Sequence, residues 1–376
     1  MPTLATRLRS SLDELRAAGT YKHLRHLTAP MAPVTHIEGV GEVLVFCSNN
    51  YLGLANHPEV VEAGIAGLKK YGAGTASVRF ICGTFDCHLD LEERIANFLG
   101  TEAALTYVSC WNANEGLITN LVQDGDAIVS DELNHASIID ATRLARQATR
   151  KVYAHSDIDA LRTELRAVDQ AAVKVVVTDG VFSMEGDVPR LPELVTVCSE
   201  HGATLVVDDS HGTGVLGKHG RGVHEHFGIP AQGSGGVDIF TGTLGKALGG
   251  AAGGYVAGPR EVIDYLIQRS RPQLFSNALP PTVACSAAKA LEILQREPER
   301  VARLHENVAK MRAGLRSLGY DVLESPTAIL PIIVGETAEA IRLSNELLKK
   351  GIFVIGFGFP VVPEGAARLR IQMSAA

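Results

Sequence analysis

From about residue 100 onward, short apolar runs alternate with helical stretches. This alternation constrains the fold more than any other feature of the 376-residue chain. Residues 103–108, 127–130, 173–178, 204–207 and 237–241 read as strands rich in Val, Ile, Leu and Thr. Residues 112–122, 136–145 and 191–201 between them carry helical periodicity. A helix between two strands returns the chain across a sheet face, so successive strands run parallel. The expected fold class is α/β: a large domain with a mainly parallel central sheet flanked by helices, and a smaller C-terminal α/β domain. The smaller domain is expected after a long helical stretch at 281–318. It should contain short strands at 329–334, 353–355 and 368–371 and a helix at 338–350. A separate amphipathic helix is expected at 6–18, where Leu8, Leu12 and Leu15 share one face.

Composition narrows the function classes. Lys and Arg total 35 against 42 Asp and Glu, a net charge of −7, which speaks against a nucleic-acid partner. No apolar run reaches the roughly 18 residues of a membrane span, and the first ten residues carry arginines but no apolar leader segment. The six cysteines have neither a zinc spacing nor the density of a disulfide framework, so no metal is expected and a reducing cytoplasm is the expected setting.

In parallel α/β sheets, ligands sit outside the carboxyl ends of the strands, and three polar clusters fall there. TGTLGKALGGAAGG (241–254) puts Lys246 among glycines directly after a strand. Alone, the segment reads equally well as a glycine turn with a solvated lysine. It is not a Walker A loop, because Ala247 replaces the Mg²⁺-binding hydroxyl. Desolvated in a small-residue pocket, Lys246 would instead be a neutral nucleophile towards a carbonyl, as a Schiff base with pyridoxal 5′-phosphate (PLP) requires. VVDDSHG (206–212) ends an apolar run on Asp208. A buried carboxylate needs a cation, which a protonated pyridine nitrogen would supply, and His211 follows within reach of such a ring; taken alone, the motif also reads as an N-cap aspartate and an ordinary loop histidine. Ser109-Cys110-Trp111-Asn112 sits at a strand-to-helix junction, where backbone N–H groups bind phosphate. His135 opens a helix, where an imidazole could stack on a flat ring; taken alone, the segment reads equally well as a capping Asn134 with an incidental histidine. Thr178-Asp179 ends another strand.

These motifs, together with SNNYLGLANHP (48–58), GTASVRFICGT (74–84), SDELNHASIIDATR (130–143), TDGVFSMEGD (178–187) and RLRIQMSAA (368–376), resemble the α-oxoamine synthases, a family of fold-type I PLP-dependent transferases that join an amino acid to an acyl-CoA. The resemblance spans nearly the whole chain. It implies residues 1–45 as an N-terminal helix with strands of the smaller domain, 46–280 as the large PLP-binding domain, and 281–376 as the small domain. It also implies Lys246 as Schiff-base lysine and acid/base, Asp208 on the pyridine nitrogen, and His211 and Ser183 at the 3-oxygen side. His135 would stack on the ring and assist proton transfer. The amides of Cys110 and Trp111 and the Thr243 hydroxyl would hold the phosphate. Ser276 and Asn277, in RPQLFSNALPP (271–281), would reach it from the partner of a homodimer. Asn49 and Arg370 would hold the substrate carboxylate, whereas Arg368 reads as a surface strand arginine. Within the family, the motifs resemble the branch condensing glycine with acetyl-CoA to 2-amino-3-oxobutanoate and CoA, a reversible step in threonine catabolism. The 8-amino-7-oxononanoate synthases are the alternative branch. A small pocket near Ser77 is expected to exclude amino acids larger than glycine. Two departures stand out: Trp111 is larger than the residue relatives often carry there, and relatives continue past the position of Ala376 with a further helix.

Overall fold

The computed structural model describes residues 3–376; the first two residues of the expected N-terminal unit lie outside it. Three sheets organise the described residues. Strands β1 (Val34–Ile37) and β2 (Gly41–Val45) form an antiparallel hairpin near the start. The central seven-stranded sheet contains β3 (Ala103–Tyr107), β4 (Ala127–Asp131), β5 (Thr149–Tyr153), β6 (Lys174–Asp179), β7 (Ala203–Asp208), β8 (Ile239–Thr243) and β9 (Gly254–Gly258), in the order β3-β9-β8-β7-β6-β4-β5. Only β9 runs against its neighbours. The chain ends in β10 (Ile329–Gly335), β11 (Ile352–Phe353), β12 (Ile355–Phe357) and β13 (Ala367–Gln372), with β10, β13 and β12 forming the third sheet.

The near-continuous apolar character of the central strands follows from burial on both faces. Successive side chains point to opposite faces, so Val176, Leu205, Val207 and Phe240 enter one core while Val175, Val177, Val206 and Ile239 enter the other. Because β3, β4, β6, β7 and β8 all run the same way, their carboxyl ends share one edge. That edge holds Asp131, Asp179, Asp208 and Thr243.

The helical stretch expected at 281–318 is two helices, Pro281–Arg296 and Glu299–Ser317. Pro298 explains the break: it has no N–H to donate and disfavours helical backbone at the residue before it, and Glu297 accordingly sits at φ −124°, ψ 61°. Strand β2 also pairs in parallel with β11, which joins the N-terminal hairpin to the C-terminal part of the chain. The run at 353–355 divides between β11 and β12. Among the described residues, no helix is long and apolar enough to cross a membrane.

Candidate active site

At the carboxyl edge of the central sheet lies a cavity of about 190 Å³. Eight of the site residues expected from sequence line it: Cys110, Trp111, His135, Ser183, Asp208, His211, Thr243 and Lys246. Five stand at a strand end or a helix start, and Ser183, His211 and Lys246 lie in the turns that follow β6, β7 and β8. Asp208 ends β7 and Thr243 ends β8. Cys110 and Trp111 open the helix Cys110–Leu121, whose N-cap Ser109 accepts from Asn112 N at 3.2 Å. His135 caps the helix Ala136–Leu144 by accepting at Nδ1 from Ser137 N.

Asp208 is buried and held from two sides. Asn114 Nδ2 donates to its Oδ2 at 2.6 Å and Ser210 N donates to its Oδ1 at 3.0 Å. Asn114 is itself fixed, since its Oδ1 accepts from Thr241 Oγ1 at 2.7 Å. Burial lowers the Lys246 pKa, and the Asp208 carboxylate opposes that shift without cancelling it. Burial and the neighbouring Asp208 charge push the Asp179 pKa well above the carboxylate range, and Asp179 accepts from His135 N at 2.9 Å. Burial also lowers the pKa of His135 and, reinforced by Lys246 and Arg370, holds that of His211 far down.

His211 belongs to a chain of hydrogen bonds running out to the last strand. Gln372 Nε2 donates to Asn49 Oδ1 at 2.6 Å and to the Tyr51 hydroxyl at 2.8 Å. That hydroxyl lies 2.8 Å from His211 Nδ1. Gln372 Nε2 can only donate, so Nδ1 is the one acceptor among these partners for the hydroxyl's own proton, and a neutral His211 that accepts it carries its proton on Nε2.

Arg370 does not line the cavity but stands beside it. Its Nη1 donates to the Ser183 carbonyl at 3.0 Å and its Nη2 to Gln372 Oε1 at 3.1 Å, while its Nε is buried without a partner. Asn49 does not line the cavity and accepts from Gln372 Nε2. Ser276 and Asn277 lie outside this chain's cavity, with Asn277 exposed. Ser77 is also outside it, and its carbonyl accepts from Ala278 N at 3.1 Å, so residue 77 and the 276–277 segment lie side by side.

Arg368 corrects the sequence reading. It is buried, donating to the Met184 carbonyl at 2.8 Å and pairing with Glu185 at 3.1 Å, because β13 is the middle strand of its sheet and the 182–187 segment covers it. Asn114, Tyr51 and Gln372 escape sequence reading altogether. Asn114 sits on a helix, Tyr51 in a turn and Gln372 at the end of β13, with partners far along the chain. Asp179 carries the same strand-end signal as Asp208.

The donor set fits PLP on observations independent of any likeness. A buried amine and a held carboxylate share one cavity with the first turn of a helix, whose N–H groups have no partners within the helix. The backbone there leaves no spare room: a Cβ on Gly254 would stand 2.3 Å from Cys110 N. Arg370, which donates to the carbonyl of the cavity-lining Ser183, keeps an unpaired buried donor at Nε.

Comparison with known proteins agrees. The chain is 45% identical over 369 residues to the mitochondrial 2-amino-3-ketobutyrate coenzyme A ligase of Bos taurus, covering 98% of this chain and 87% of that one. It is 46% identical over 366 residues to the 8-amino-7-oxononanoate synthase of Symbiobacterium thermophilum, covering 97% and 92%. Among solved structures it is similar to a serine palmitoyltransferase holding PLP, with a TM-score of 0.93 and 29% identity, covering 100% of this chain and 94% of that one. Residues 41–376 match the aminotransferase class I and II family. The chain belongs to this family and, within it, to the PLP-dependent α-oxoamine synthases.

Proposed function

We propose that this protein condenses glycine with acetyl-CoA, giving 2-amino-3-oxobutanoate and CoA, with PLP as cofactor. The observation that carries the reading is the convergence of Lys246, Asp208 and His135 on one cavity that Arg370 borders. The likeness to the bovine ligase supports glycine and acetyl-CoA as the pair.

When bound, PLP supplies an electron sink for the pair left on the glycine α-carbon. Lys246 Nζ, made less basic by burial, takes the α-proton. Asp208, fixed by Asn114 and Ser210, would pair with the ring nitrogen and keep it protonated. His211 would offer its Nε2 proton to the 3-oxygen, with Ser183 on the same side. His135 would stack on the ring and, with its pKa lowered by burial, would accept or return a proton. The N–H groups of Cys110 and Trp111 and the Thr243 hydroxyl would hold the phosphate. The Arg370 guanidinium, with Asn49, orients the substrate carboxylate. The new carbon–carbon bond forms as the thioester C–S bond breaks, and the departing thiolate ends protonated as CoA.

The protein acts as a homodimer in this reading, with Ser276 and Asn277 entering the partner's site and Ser77 beside them setting its size. The proposed domain limits are 1–45, 46–280 and 281–376. The pairing of β2 with β11 supports assigning the first unit's strands to the small domain. The free cysteines suit a reducing compartment, and we place the protein in the cytoplasm.

The 46% identity to an 8-amino-7-oxononanoate synthase favours a second reading, with alanine and a pimeloyl thioester as substrates. Steady-state rates with glycine and acetyl-CoA against alanine and pimeloyl-CoA decide between them. The first pair should be preferred by about 100-fold or more in kcat/KM; the reverse order would establish the second reading.

A further inference from the structure

His155 lies outside the cavity yet grips the segment that forms part of its wall. Its Nδ1 is 3.1 Å from Asp131 Oδ1 and its Nε2 is 3.0 Å from Asp187 Oδ2. A carboxylate accepts and does not donate, so both ring nitrogens carry protons and the ring is an imidazolium between two carboxylates. Burial alone would favour the neutral ring, but the hydrogen bonds and charges of Asp131 and Asp187 outweigh it and push the pKa up to about 10.

The two ends of this clamp differ. Asp131 is the anchored end: it closes β4, its side chain is 1% exposed, and it also accepts from Leu133 N and Ser156 N. Asp187 ends the segment that leaves β6. The His155 ring also meets Phe182 edge-on, at 4.3 Å between centroids. The segment is closed on itself, Phe182 N donating to Asp187 O and Gly186 N to Phe182 O. Between its two gripped ends, the segment turns its carbonyls to the arginines of β13: Ser183 O accepts from Arg370 and Met184 O from Arg368.

We infer that His155 is a positioning residue for glycine binding: by clamping residues 182–187 to the sheet edge, it sets the Ser183 carbonyl that orients Arg370, leaving Nε of that guanidinium free for the substrate carboxylate. The inference rests on the reading of Arg370 as carboxylate anchor in the proposed function.

The test is a titration of the PLP-loaded protein with glycine alone, read by the visible absorbance of the cofactor. His155→Gln keeps the size but removes the charge. Asp187→Asn weakens the same clamp from its other end, should the first variant fold poorly. Both should raise the glycine Kd, by roughly tenfold, with PLP affinity and the KM for acetyl-CoA unchanged. Unchanged glycine affinity in the folded variants would overturn the inference. So would a parallel loss of PLP affinity, which would mark the clamp as general scaffold. If the wild-type spectrum does not respond to glycine, it is the proposed function that fails. The same titration with L-alanine then reads the role of His155.

Discussion

Asn114 and Asp208, 94 residues apart in the chain, meet at 2.6 Å beside the cavity that Asp208 lines. Through this bond a helix fixes the rotamer of a carboxylate delivered by the end of a strand. The carboxylate is buried, so the loss of its partner leaves an acceptor without compensation, at a cost of about 1–3 kcal/mol. Asn114→Ala is therefore expected to lower kcat/KM by roughly 10- to 100-fold, with a Tm shift of only a few degrees. Kinetics together with a thermal melt check this. Wild-type kcat/KM in the variant would show that the Asn114 bond does not hold Asp208 in its working position.

Gly254 permits β9 to pass against the start of the helix Cys110–Leu121. A methyl group there would stand 2.3 Å from Cys110 N and 2.5 Å from its Cα, both backbone atoms that cannot swing aside. Gly254→Ala should therefore push the helix start away from the proposed phosphate position and destabilise the fold by about 1–3 kcal/mol. The chain's single tryptophan, Trp111, lines the cavity and gives a direct readout. PLP should quench its fluorescence in the wild type, and the variant should need much more PLP for the same quench.

The His155 clamp carries a pH signature. Its pKa rises from 6.5 to about 10 on folding, so between those values the folded chain binds more protons than the unfolded one. The stabilisation is fully present below about pH 6.5 and is lost as the pH rises through about 10. Melting temperatures across this window should fall more steeply for the wild type than for His155→Gln. Parallel slopes would show that the clamp contributes no pH-dependent stability.

Legibility in the sequence followed the reach of each signal. Lys246 and Asp208 were readable because a β-branched run ends on each motif and glycines crowd the lysine, all within a few residues. Cys110 and His135 were readable because helix starts have local signatures. Asn114, Tyr51 and Gln372 carry no such mark: their roles come from partners brought near only by the sheet. Arg368 looked like a surface residue because strand alternation does not say that a neighbouring loop covers the strand. His155 sits just beyond a strand, and the two carboxylates that charge it come from the end of β4 and from the segment that follows β6. Pro298 was visible in the sequence, and its power to split the helical stretch at 281–318 follows from local backbone sterics alone.

The most direct test of the central claim is to add PLP to the purified protein, reduce with borohydride and map the modified peptide. The account predicts a visible absorbance band before reduction and a pyridoxyl group on Lys246 after it, both absent in Lys246→Ala. A protein that stays colourless with PLP, or carries the label on another lysine, would contradict it.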